Sequence, residues 1–336
     1  MSTSGSVPRW AAQVWLRPAR EEDAFLPEGP RYFRWQGRDA VIWVNIQTSR
    51  QADRGRLMVA ATEAEGPAEV RSFDCPGRPG FVLPTDRDGV VLVGIDHCLC
   101  LFDLEQQVWS RPLAHLPQAH PRTTINDGEV TPDGRAIVFG TKDLLFREPF
   151  GCLYLYDVPQ RRLHVLAEGQ TCSNGKVIRQ EAEGWILYDI DTPTRQVRRY
   201  RLDIEGGQAQ FLDVALDWHG WEEFPDGMCA ADDQSVIIAF YHPGDRDGGR
   251  AVRFDLESRE AVEEWEVPFS PRVTCPLLLP PSSPPRSDRA RLILTTAEEG
   301  MPPEVRQRNP NAGCLFQAPT SLPAAPEPAV VRLGED

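Results

Sequence analysis

The chain contains no apolar run approaching the roughly 18 residues that a membrane-spanning helix requires, which removes helical membrane proteins from consideration. Clustered Lys and Arg are missing too. With a net charge of −14 and its arginines dispersed, the chain cannot neutralise a phosphate backbone, so nucleic acid is excluded as a partner. The six histidines form neither an HxH nor an HExxH spacing, and no GxSxG stands near a catalytic triad. Eight cysteines are scattered, with only Cys98 and Cys100 close together and no second Cys or His pair at zinc-site spacing. They read as reduced thiols packed as small hydrophobes. The N-terminal stretch MSTSGSVPRWAAQVW has no basic start followed by an apolar core, so no secretory signal is expected and the expected location is cytoplasmic.

Helical periodicity is scarce as well, and 26 Gly with 31 Pro disfavour long helices. What recurs instead is the strand. DAVIWVNI, GVVLVGI, CLCLFDL, RAIVFGT, CLYLYDV, WILYDID, VRRYRLD, SVIIAFY, RAVRFDL and RLILTTA are short β-branched and aromatic runs. Turn chemistry separates them, as in GRPG, TDRDG, PGDRDGG and SSPPRSD. The reading is an all-β protein of four-stranded antiparallel sheets.

Four polar residues beside glycines punctuate this pattern: Glu28 in PEGP, Asn126 in INDG, Asn174 in SNGK and Asp226 in PDGM. Their intervals of 98, 48 and 52 residues sample one position of a unit of roughly 50 residues, with one unit skipped. Such units are propeller blades, and six of them fill residues 1–317 as one domain, leaving 318–336 as a Pro/Ala-rich tail expected to be loose in its middle. If the four positions meet at the central channel, two carboxylates and two amide carbonyls converge there, a set suited to a hard divalent cation. Taken singly, each is an ordinary turn former. The spacing is what unites them.

The segments LPEGPRYF, TTINDGEVTPDGRAIVFGTKD, TCSNGKV, LYDIDTPTRQVRRYRLD, FPDGMCAADDQSVIIAFYHPG and TTAEEGMPPEVRQRNPNAGCLF resemble the gluconolactonase/regucalcin (senescence-marker-protein) family of six-bladed propellers over about residues 25–317. The resemblance implies a divalent metal held by Glu28, Asn174 and Asp226, with Asn126 completing the shell or touching substrate. Calcium or zinc is the expected ion, and manganese or magnesium would suit the same oxygens. It also implies hydrolysis of sugar lactones. Asp226 is then read as ligand and as base for the attacking water, the alternative being a pure ligand.

Departures from the family pattern fall on the substrate side. Thr124 stands where members often carry Arg, with Arg122 two residues earlier, and Lys142 replaces a usual Met. Leu144, Leu145, Phe146 and Phe150 make the following loop apolar. Asp191, in a segment like the family's DTPTR, is expected to shape the site. Candidate substrate contacts are therefore Asn126, Thr124, Lys142 and Asp191. His219 and His242 are placed near the mouth, while Trp35, Trp43, Trp185 and Tyr188 are expected to pack between blades. The expected partner is a small-molecule substrate, with neither nucleic acid nor membrane, and the chain is expected to be a monomer or small homo-oligomer. A non-catalytic metal- or small-molecule-binding propeller, or a phosphoester hydrolase or cyclase on the same scaffold, remains the alternative.

Overall fold

The computed structural model describes residues 7–334 except 65, 67, 68, 118 and 282–288, so the SSPPRSD turn lies outside the described residues. All ten strand runs read from the sequence are strands. They are the middle strands of blades, where both faces are covered by neighbouring sheets and the sequence is correspondingly apolar.

Six antiparallel sheets follow one another along the chain. Blade 1 opens with Pro27–Trp35, blade 2 with Pro79–Pro84, blade 3 with Thr123–Val130, blade 4 with Ser173–Glu181, blade 5 with Phe224–Ala230 and blade 6 with Val273–Leu279. Each of these is the innermost strand of its sheet. Blade 6 takes its outermost strand from the other end of the chain: Gln13–Leu16 pairs antiparallel with Leu315–Pro319, Gln13 opposite Gln317. That pairing closes the ring and removes a free edge. The preceding strand, Arg9–Ala11, adds in parallel to the outside of blade 5.

The inner strands share one irregularity. Register slips between Glu28 and Arg31, Pro79 and Phe81, Ile125 and Gly128, Ser173 and Lys176, Pro225 and Met228, and Val273 and Cys275. Such bulges bend the strand and re-aim a side chain. Thus Glu28, Asn126, Asn174 and Asp226 are not loop residues, as their turn-forming neighbours imply, but lie at bulges inside strands. The unit missing from the sequence spacing is blade 2, whose bulge carries Pro79 and Gly80. Glycine is required here by close approach: a Cβ on Gly175 would strike the Met228 backbone, and one on Gly80 the Asn126 carbonyl.

Between blades, the packing is aromatic and aliphatic. Phe81 of blade 2 meets Phe139 of blade 3 at 5.8 Å between centroids, and Trp218 packs on Phe240 and Phe254 at 5.3 and 5.1 Å. Trp35 belongs to the core cluster that holds Val82 and Val91 of blade 2, Trp43 to the one that holds Ile293 and Leu315 of blade 6, and Tyr188 to the one that holds Val236 of blade 5. Trp185 sits half-buried against the blade 3–4 core. All four do structural work, as the sequence indicates. The eight cysteines are free thiols.

At the far end of the channel, Arg31 donates to Glu129 at 2.6 Å and to the Gly128 carbonyl at 2.7 Å. Because these belong to blades 1 and 3, the pair crosses the channel. Beyond it lies a cavity of about 480 Å³ covered by residues 326–330 of the tail. The tail is docked by Val331, fully buried, whose N–H donates to the Pro84 carbonyl at 2.9 Å while Arg332 N–H donates to Gly134 at 2.9 Å. A β-branched residue inserted between blades supplies the anchor that the Pro/Ala composition lacks. No helix among the described residues is long and apolar enough to cross a membrane.

Candidate functional site

At the end where the inner strands begin, Glu28, Asn126, Lys142, Asn174 and Asp226 line one cavity of about 320 Å³. The bulges supply its floor. Its rim comes from the segments that follow the second strands of blades 1, 3, 4, 5 and 6, including Gln47, Leu144, Phe146, Thr192, Pro243 and Glu299.

The two amides are oriented by their surroundings. Asn126 Nδ2 donates to the Ser173 carbonyl at 2.8 Å and to Asn174 Oδ1 at 2.9 Å. Asn174 Nδ2 donates to Thr192 Oγ1 at 2.8 Å, and that hydroxyl donates to the Pro225 carbonyl at 2.9 Å. A chain of hydrogen bonds therefore runs from blade 3 through blade 4 to blade 5 and ends on the residue before Asp226. The amide N–H groups are spent on Ser173, Asn174 Oδ1, Cys172 and Thr192, which leaves Asn126 Oδ1 and the second lone pair of Asn174 Oδ1 for a ligand.

The carboxyls are held in a setting that disfavours their charge. Burial, then the charge of Asp127, pushes Glu28 up to about 8, against a counter-effect from Lys142. Burial, then the neighbouring Glu28, raises Asp226 well above the usual carboxylate range. Two carboxyls buried together call for a cation, and the remaining donors are hard amide oxygens, so a divalent ion such as calcium fits the set. Among the described residues no group of three His, Cys, Asp or Glu side chains forms a metal site; the candidate depends on its two amides. Cys172 also lines the cavity, and burial keeps it a thiol by raising its pKa. It packs against both amides, 3.9 Å from Asn126 Nδ2 and 3.5 Å from Asn174 Nδ2.

Lys142 sits on the second strand of blade 3, opposite Thr124 in register. Thr124 itself is buried behind the wall, its hydroxyl directed at the Asp96 carbonyl 3.5 Å away, and it does not line the cavity. Nor does Asp191. Its Oδ1 accepts the Thr171 and Cys172 N–H groups at 3.1 and 2.9 Å, so it shapes the wall from behind, and burial raises its pKa. Arg122 turns away to make a two-point pair with Asp143 at 2.6 and 2.9 Å. His219 and His242 are not lining residues either; His242 faces Glu222 at 3.5 Å.

Sequence reasoning missed Asp143, Thr192, Tyr241 and Glu299, all of which line the cavity. Glu299 is a further carboxylate, contributed by the segment after the second strand of blade 6, and its charge raises the pKa of both Glu28 and Asp226. The usable signal was position: each missed residue follows, or ends, the second strand of a blade. Asp143 organises the rim. Besides pairing with Arg122, it accepts the Arg147 and Glu148 N–H groups at 2.9 Å each. Burial opposes its ionisation, but the Arg122 hydrogen bond and these N–H groups outweigh that and hold its pKa well below the usual carboxylate range.

A sequence-family model described as "SMP-30/Gluconolactonase/LRE-like region" matches residues 26–297. An uncharacterized protein of Sulfolobus acidocaldarius is 30% identical over 191 residues, 57% of this chain and 65% of that one. The Bacillus subtilis protein YvrE, named as a candidate sugar lactone lactonase, is 27% identical over 199 residues, 59% of this chain and 63% of that one. Among solved structures, a calcium-binding protein, regucalcin, from Agrobacterium tumefaciens superposes with a TM-score of 0.78 at 21% identity, covering 98% of this chain and 100% of that one.

Proposed function

From the premise that the chain belongs to the SMP-30/gluconolactonase/LRE-like family, we propose that it is a metal-dependent hydrolase that opens lactone rings. The observation that carries this reading is the convergence of Glu28, Asp226, Asn126 and Asn174 on one buried cavity with the amide N–H groups turned into the framework. Glu28, Asn174 and Asp226 would hold the ion, and Asn126 would complete the shell or contact substrate. Calcium is the first candidate, because hard oxygens make up the whole set and the regucalcin neighbour is a calcium-binding protein; zinc, manganese and magnesium are the others. A bound divalent cation supplies Lewis acidity at the floor of the cavity.

The chain's own groups supply the rest. Asp226, whose carboxyl lines the same cavity floor as Glu28, would take a proton from the attacking water. The water oxygen adds to the lactone carbonyl carbon, the bond from that carbon to the ring oxygen breaks, and the proton held by Asp226 passes to the departing alkoxide. The product is an open hydroxy acid. Lys142, which lines the same cavity, would hold the carbonyl oxygen and then the product carboxylate. Location in the cytoplasm, a small-molecule partner and a monomeric or small homo-oligomeric state belong to the same proposal.

The test is a pH-stat assay over five- and six-membered lactones with the ion added, removed by chelation and restored. Ring opening that follows the ion, and falls by about 10²-fold in Asp226→Asn as a general-base loss should, supports the reading. An ion that binds without any lactone being opened moves the assignment to a binding propeller.

A further inference from the structure

The cavity is polar below and apolar above. Its floor carries the carboxyls, the amides and Lys142, whereas its rim is built from Leu26, Leu144, Phe146, Phe224 and Pro243. Polar rim groups are largely engaged with the protein itself. Gln47 Nε2 donates to the Ala52 carbonyl at 2.6 Å, Asp143 is occupied by Arg122 and its own loop, and Thr192 Oγ1 lies between Asn174 and Pro225. Of the carboxylates at the rim, Glu299 alone is left to meet a ligand hydroxyl. A polyhydroxylated ring would bring several hydroxyls to this rim and leave most of them unpaired, at the cost of their hydration.

The loop itself shows that its apolar side chains are placed deliberately. Leu144, Leu145 and Phe146 are 37%, 52% and 43% exposed, although three adjacent apolar side chains gain nothing from water. Their backbone is pinned by Asp143, which also accepts the Leu145 N–H at 3.3 Å. Phe146 adopts φ +53°, a left-handed conformation that costs a bulky residue about 1 kcal/mol or more. Its ring meets Phe224 edge-on at 6.0 Å, across the gap from blade 3 to blade 5. A strained, exposed phenylalanine at a cavity mouth is explained if a ligand covers it.

We infer that the cavity takes a lactone whose ring carries an apolar alkyl or aryl substituent, with the ester on the floor and the substituent under Leu144, Phe146 and Phe224. This rests on the lactonase reading above, and the experiment separates the two. Hydrolysis is measured for γ- and δ-lactones with alkyl chains of increasing length, beside glucono-δ-lactone. Binding of the corresponding alkyl lactams, which resist hydrolysis, is measured by calorimetry on the same protein.

The expected result is that kcat/KM, and lactam affinity in parallel, rise by about fourfold per added methylene until the mouth is filled, and that Phe146→Ser flattens both slopes while melting like the parent. A flat or falling series, with the hydroxylated lactone preferred, overturns the inference and leaves the lactonase reading standing. If no lactone opens while the ion binds, the lactonase reading fails; lactam binding then decides the mouth alone, an alkyl preference upholding it and its absence overturning it.

Discussion

Asn126 and Asn174, 48 residues apart in the chain and on adjacent blades, are joined by a 2.9 Å hydrogen bond from Nδ2 to Oδ1. Thr192 extends the bond to blade 5. The candidate ligands are thus not four independent side chains but parts of one network.

Breaking that network behind the ligands should loosen the ion without touching it. Thr192→Val removes the acceptor for Asn174 and the donor to Pro225. Loss of such supporting hydrogen bonds commonly costs 10- to 100-fold in metal affinity. Calorimetric titration with calcium should show a drop of about tenfold or more; an unchanged affinity would mean that Asn174 does not need its partner.

In the chelated protein, stability should fall as pH rises. Glu28 has a folded pKa of about 8 against an ordinary value of 4.5, so the folded state holds the proton more tightly than the unfolded one through that window. Stability contributed by the protonated form is present below about pH 4.5 and is lost progressively up to about pH 8. Melting temperatures measured in chelator between pH 5 and 8 should decline, Glu28→Gln should reduce the decline, and calcium should reverse it in the parent alone.

Asp143 should behave oppositely. Its pKa is held down in the folded state, so the stability it contributes is complete above the unfolded value of about 3.9 and is lost as pH falls through the folded one. Chemical denaturation of the parent and of Asp143→Asn should differ most at neutral pH and converge in acid. A gap that stays constant down to about pH 2 would show that the carboxylate is not what organises the 144–150 rim.

Lys142 faces the same floor as the carboxyls, and its charge opposes the raised pKa of both Glu28 and Asp226. A cation at this position competes with a metal for them. Lys142→Met should therefore tighten calcium binding, on the order of tenfold for one charge in a partly buried site, while raising KM for the lactone. Weaker metal binding in the variant would place the ammonium in a supporting role instead.

The repeat and the ten middle strands were legible because residues covered on both faces must be apolar, and that leaves a plain signal. Glu28, Asn126, Asn174 and Asp226 were legible through spacing, since each blade puts a bulge at the same place. Blade 2 escaped because its bulge carries Pro79 and Gly80, without a polar ligand type. Blade 6 escaped because Thr274 spends its hydroxyl on the Pro27 carbonyl and Thr295. Glu299 and Asp143 were hidden for another reason: the segments after the second strands differ in length and composition, so no period announces them. Thr124 and Asp191 look like site residues in sequence, but strand alternation and the 192–194 turn direct their polar atoms to the framework behind the cavity.

The central claim is that one divalent cation sits where the four bulge residues meet. The most direct measurement is an anomalous difference map from crystals grown with calcium or manganese. The account predicts a single strong peak on the channel axis with oxygens of Glu28, Asn174 and Asp226, and that of Asn126 directly or through water, at about 2.0–2.6 Å. A map with no peak there, or with the ion held by residues outside this cavity, would contradict it.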